Sequence, residues 1–123
     1  MSDRTGHLHS RREQIEALAA LPDDGPVVMV NLLKFRPDGG ERTYDDYQRK
    51  MLPMVKQYGL KIVYQGACEQ LLIGGATWDR VLLVEYPSRR AFLEMVTSAE
   101  YQEISETRTA ALEDSVLYAT RPK

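Results

Sequence analysis

The sequence predicts one α+β domain with a ferredoxin-like βαββαβ core, a four-stranded antiparallel sheet backed by helices. Three observations lead there. The chain has 123 residues, which suits one domain and leaves no room for two ordinary ones. Its apolar segments alternate between strand-like and helix-like spacing in the order strand, helix, strand, strand, helix, strand. Two of the strands, Val27 to Phe35 and Val81 to Tyr86, are rich in β-branched and large apolar residues.

Residues 1–24 read as an appendage to a core at 25–123. Ser10 with Glu13 has the spacing of a capping box, and Ile15, Leu18, Ala19 and Leu21 follow as a short apolar stripe. Pro22-Asp23-Asp24-Gly25-Pro26 then predicts a turn. After the first strand and a Pro37-Asp38-Gly39-Gly40 loop, Thr43 is expected to cap a helix with Tyr44, Tyr47, Met51, Met54, Val55 and Tyr58 on one stripe. Pro53 should kink that helix and Gly59 end it. Lys61 to Ile73 reads as a second strand, bulged near Gly66, with a turn at Gly74-Gly75. After the third strand, Pro87-Ser88 opens a helix carrying Phe92, Met95 and Val96. Ser98 caps another that reaches about Asp114, and Val116 to Thr120 is the last strand.

The two central strands do not alternate. Val28, Val30 and Leu32 share one face of the first, and Val27, Met29, Leu33 and Phe35 the other. Val81 and Leu83 oppose Leu82 and Val84 in the third. A sheet covered by helices on one face only should alternate apolar with polar. Each such side chain left in water forgoes roughly 1.5–3 kcal/mol. The pattern therefore predicts a homodimer in which a second sheet covers the open face, forming a dimeric α/β barrel. The alternative cover is the N-terminal helix, which is short for the task.

The formal net charge is −2 and the sequence pI about 5.7, with both signs mixed along the chain. Nucleic-acid binding, which needs a clustered basic footprint, is disfavoured. The longest apolar runs are too short to span a bilayer. Met1-Ser2-Asp3-Arg4 lacks a secretion signal's apolar stretch, and the single cysteine, Cys68, excludes an internal disulfide. A cytoplasmic location is the expectation.

The motifs Val30-Asn31-Leu32-Leu33-Lys34-Phe35, Trp78-Asp79 and Glu85-Tyr86-Pro87-Ser88, with Ser98-Ala99-Glu100-Tyr101 leading to Arg108-Thr109-Ala110-Ala111-Leu112, carry a resemblance over roughly residues 26–121. They resemble the family of domain of unknown function 1330. That resemblance implies the dimeric α/β-barrel superfamily, whose members include cofactor-independent monooxygenases, muconolactone-type isomerases, haem enzymes and ligand-binding regulators. It does not choose among them.

Arg108 stands on the apolar stripe of its helix, seven after Tyr101 and four before Leu112. A guanidinium there needs a partner. The partner is either a ligand carboxylate, suited to its planar fork, or a structural ion pair with Asp79, Glu85 or Asp114. Asn31 and Lys34 are polar residues in an apolar strand, pointing to opposite faces. Asn31 is a ligand contact or a local backbone partner, and Lys34 reaches solvent. Trp78 and Asp79 are a pocket wall beside an acid/base carboxylate, or a turn Asp and a core or interface Trp. Tyr44, Tyr47 and Tyr101 are core aromatics with hydroxyls that can face a cavity, and Glu85 is a further carboxylate candidate. His7 and His9 lie in the N-terminal segment with no third ligand, so no metal is expected. Cys68 reads as a packing residue, and no phosphate loop or other cofactor motif is present.

Two functions stay open. One is a cofactor-independent enzyme, monooxygenase- or isomerase-like, with Arg108, Asp79 and Asn31 acting on a small acidic or aromatic compound against Tyr44, Tyr47, Trp78, Tyr101 and Glu85. The other is a non-catalytic small-ligand binder or dimeric interaction module.

Overall fold

The computed structural model describes residues 5–22 and 25–123. Two helices, α1 (Thr5–Leu8) and α2 (Arg12–Ala20), precede strand β1 (Val27–Phe35). Helices α3 (Gly40–Lys50) and α4 (Leu52–Tyr58) lead to β2 (Lys61–Ala67) and β3 (Arg80–Tyr86). Helices α5 (Arg89–Thr97) and α6 (Ala99–Ala111) then lead to β4 (Leu112–Thr120). The sheet runs β2-β3-β1-β4 with every neighbouring pair antiparallel. This is the ferredoxin-like α+β order, with β1 and β3 in the centre.

Several local expectations hold. Ser88 and Ser98 are side-chain caps, accepting from the N–H groups of Ala91 and Tyr101 at 3.1 Å each. Gly59 closes α4 with φ 73°, a left-handed turn that only glycine takes freely.

Others are corrected. The first cap lies one residue later than Ser10 and Glu13: the Arg11 N–H donates to Gln14 Oε1 at 2.9 Å. Thr43 lies inside a helix that has already begun at Gly40, and its hydroxyl bonds back to the Gly39 carbonyl at 3.1 Å. Pro53 sits in the first turn of α4, where its missing N–H costs nothing. It therefore divides two helices rather than kinking one. The helix expected to reach Asp114 stops at Ala111, and β4 starts at once with Leu112, four residues before the expected Val116. Strand β2 ends at Ala67, opposite Arg80, and its irregularity falls between Ile62 and Tyr64 rather than at Gly66. Cys68 therefore starts a loop and is exposed, not packed. The turn expected at 22–26 includes Asp23 and Asp24, which lie outside the described residues.

The two faces of the sheet differ. Val27, Met29 and Leu33 of β1, with Leu82 and Tyr86 of β3, pack on Tyr44, Met54, Phe92 and Met95 of the helices. The other face carries Val28, Val30, Leu32, Val81, Leu83 and Val116, all half-buried, with Tyr64 and Tyr118 exposed. The N-terminal helices do not cover it. Leu8 is buried in the helix-side core, and Ile15 and Leu18 pack against the same cluster. The alternative cover considered from sequence is thus excluded by placement. Among the described residues no helix is long and apolar enough to cross a membrane.

Candidate functional site

On the helix-covered side, α3 and α6 face each other and bring three phenols around one guanidinium, with a fourth, Tyr86, from β3. Arg108 is 9% exposed. Its Nη1 donates to the carbonyl of Leu8 at 3.3 Å, and the Tyr44 phenol lies close enough to influence its charge. Its Nη2 is buried without a partner. Tyr47 and Tyr101 share a hydroxyl–hydroxyl bond of 3.2 Å. The Tyr86 hydroxyl approaches Met95 Sδ at 4.0 Å.

Electrostatics define the chemistry available here. Burial raises the Tyr44 phenol, with the neighbouring Arg108 charge working the other way. Burial pushes Tyr47 and Tyr86 well up, and the nearby phenols add to the effect. These three groups are therefore neutral hydroxyls at physiological pH. Burial opposes the charge on Arg108, but the phenol oxygens of Tyr44, Tyr47 and Tyr101 outweigh it and hold its pKa above the ordinary value. The cluster is a buried cation among neutral phenols.

None of the carboxylates expected from sequence compensates that charge; among the described residues no ion pair reaches Arg108. The physical reasons differ. Glu85 stands on the open face, opposite Val28 and Lys61. It is remote from both Arg108 on the helix side and Lys34 at the far end of β1. Asp79 Oδ2 accepts the Phe35 N–H at 2.8 Å, fastening the end of β1 to the start of β3. Asp114 Oδ1 meets His7 Nδ1 at 2.7 Å and accepts the Ser115 N–H at 2.8 Å. His7, which the sequence places in the N-terminal appendage, is thereby docked on β4.

The other candidates are dispersed. Asn31 is 7% exposed on the helix side and donates Nδ2 to the Leu82 carbonyl at 3.2 Å. Lys34 Nζ meets Thr77 Oγ1 at 3.3 Å, and Trp78 is half-buried. Arg80, not singled out from sequence, is the hub of a second polar cluster. Its guanidinium lies over the Phe35 ring at 4.9 Å and bonds Asp45 at 2.9 Å, Gln48 at 3.0 Å and Glu41 at 3.4 Å. An open groove of about 290 Å³ lies along these residues, completed by Gln65, Gly66 and Ala67. Arg80 also bonds Gln65 of β2 at 3.4 Å, so the cluster reads as a latch between α3 and the β2 edge. The sequence reading also missed Tyr86 and Leu8. The signal for Tyr86 was its even spacing from Leu82; for the Leu8 carbonyl there was none. Among the described residues no three His, Cys, Asp or Glu side chains group as metal ligands.

A model described as a domain of unknown function (DUF1330) matches residues 39–120. The chain belongs to that family. In this DUF1330 protein the matched span covers α3 to β4 and includes Arg108 and its phenols, whereas the strand motif Val30 to Phe35 precedes it. The crystal structure of the RPA0582 protein of unknown function from Rhodopseudomonas palustris is 36% identical, with a TM-score of 0.88 over 95% of this chain and 97% of that one. Coverage this high takes in most of the first 24 residues. Its methylated form is 38% identical, with a TM-score of 0.87 over 97% and 96%. A dimeric ferredoxin-like protein of unknown function from Bacteroides fragilis is 16% identical, with a TM-score of 0.57 over 80% and 98%, and shares the fold. No curated protein matches.

Proposed function

We propose that this DUF1330 protein is a cytoplasmic homodimer that holds a small acidic molecule, aliphatic or aromatic, at Arg108. The observation that carries this reading is the buried guanidinium with no carboxylate partner among the described residues and an unbonded Nη2. A buried donor without an acceptor costs about 1–3 kcal/mol, and a ligand carboxylate would remove that cost and neutralise the charge.

In this reading Arg108 anchors the acid and the hydroxyls of Tyr44, Tyr47 and Tyr101 donate to it. Asn31 belongs to the same buried helix-side layer. Asp79 holds the strand ends, with Trp78 half-buried beside it, and Glu85 faces the second subunit. The raised pKa values of Tyr44 and Tyr47 suit donors better than bases. A cofactor-independent reaction here would gain by stabilising negative charge that develops on a substrate oxygen, as an isomerase or monooxygenase requires. Binding without turnover uses the same groups.

The homodimer is supported by the uncovered apolar face and by fold neighbours described as dimeric, from Bacteroides fragilis and Thermobifida fusca. Two such sheets face to face would form the barrel.

The test is a thermal-shift panel of small carboxylates, benzoate first, on wild type and Arg108→Met. Stabilisation of wild type alone supports the site. Equal responses in the two proteins would overturn it and favour a purely structural Arg108, held by Leu8.

A further inference from the structure

The segment between β2 and β3 carries a feature that neither the buried cation nor the sheet face explains. Leu72 is 87% and Ile73 93% exposed, with Leu71 beside them at 43%. They sit at the tip of a loop, just before Gly74 and Gly75. Two adjacent aliphatic side chains almost wholly in water form a patch that a monomer gains nothing by displaying.

The loop is built. At its base the Cys68 N–H donates to the Asp79 carbonyl at 2.9 Å, and the Asp79 N–H donates to the Leu33 carbonyl at 2.8 Å. Higher up, Lys34 Nζ meets Thr77 Oγ1 at 3.3 Å. That last bond shows to which face the returning leg is tied at Thr77. Side chains alternate along β1, so Lys34 shares the face of Val28, Val30 and Leu32 and not that of the buried Met29 and Leu33. The returning leg of the loop is therefore tied to the open face, on the side away from the helices.

We infer that Leu72 and Ile73 form an arm that clasps a second copy of this chain. The inference rests on the homodimer reading above and adds to it the residues that each subunit reaches across with. The occupant is the same chain because the returning leg that carries the tip is tied, through Thr77 and Lys34, to the face where the sheet's own apolar surface awaits cover. One two-fold partner satisfies both. Aliphatic side chains that seat in a partner's apolar surface strengthen the interface in proportion to the area they remove from water.

Sedimentation equilibrium on the full chain tests this, comparing wild type, the double substitution Leu72→Ser with Ile73→Ser, and Val30→Glu on the sheet face. The arm predicts that the double substitution raises the dimer dissociation constant at least tenfold with unchanged circular dichroism, and that Val30→Glu gives monomers. Should the double substitution unfold the chain, Ile73→Thr alone repeats the measurement, with a smaller weakening in the same direction. A wild-type dimer whose constant is unmoved by the tip substitutions overturns the arm and leaves the sheet-to-sheet dimer standing. A wild type that stays monomeric overturns both.

Discussion

Arg108 Nη1 lies 3.3 Å from the carbonyl oxygen of Leu8, a hundred residues earlier in the chain. One bond thus ties the N-terminal helix to a buried charge of the core. The same short helix is held to β4 by His7, through its carbonyl to Ser115 Oγ and its ring to Asp114. The N-terminal segment forms part of the wall around the candidate site.

The Arg108 charge is expected to serve binding rather than folding. Replacing a buried ion by an apolar residue of similar length is often neutral or stabilising, although the Leu8 carbonyl then loses a donor. Arg108→Met should unfold within about 2 kcal/mol of wild type in urea while benzoate binding falls at least about tenfold, the worth of one charged hydrogen bond. A collapse of stability by several times that amount would assign Arg108 to the scaffold.

Alkaline titration follows from the phenols. Tyr44, Tyr47 and Tyr86 have folded pKa values raised above the unfolded value of 10.0. Such a group contributes stability that is complete below pH about 10 and is lost as pH rises further, because the unfolded chain sheds protons that the folded one keeps. Absorbance at 295 nm should show three of the seven tyrosines ionising only together with the loss of circular dichroism. Ionisation of all seven in a folded protein would contradict the burial argument.

Asp79 is expected to be structural. Asp79→Ala leaves the Phe35 N–H without its 2.8 Å acceptor and should cost about 1–3 kcal/mol in urea unfolding, with benzoate affinity unchanged in the folded protein. A loss of affinity at unchanged stability would return Asp79 to the site.

Gly40 is a steric requirement. A Cβ there would stand 2.5 Å from the Ala111 carbonyl oxygen and 3.1 Å from Phe35 backbone and Cβ atoms, where α3 begins beside the α6–β4 junction. Gly40→Ala should destabilise by about 1–3 kcal/mol, the usual effect of overpacking, read as a lowered urea midpoint.

Much of this architecture was legible in the chain. The unalternating apolar runs of β1 and β3 marked the central strands, and Ser88, Ser98 and Gly59 marked helix ends, because these signals act within a few residues. Leu71, Leu72 and Ile73 misled because aliphatic runs look alike in a strand and in an exposed loop. What ends β2 at Ala67 is that its partner β3 stops at Arg80, a non-local fact. The site divides the same way. A charge at apolar helical spacing exposed Arg108, and the aromatic stripe exposed Tyr44 and Tyr47. The Leu8 carbonyl, the Arg80 latch and the pairing of Asp79 with Phe35 depend on contacts between distant segments. Glu85 was misjudged as an Arg108 partner because its face depends on strand register.

The most direct test of the account is the guanidinium signal of Arg108, followed by nitrogen-15 NMR as benzoate is added to the wild-type protein. The account predicts that the Arg108 Nε–H resonance, identified by its loss in Arg108→Met, moves in a saturable way. A resonance that stays fixed at millimolar benzoate, while the protein remains folded, would contradict it.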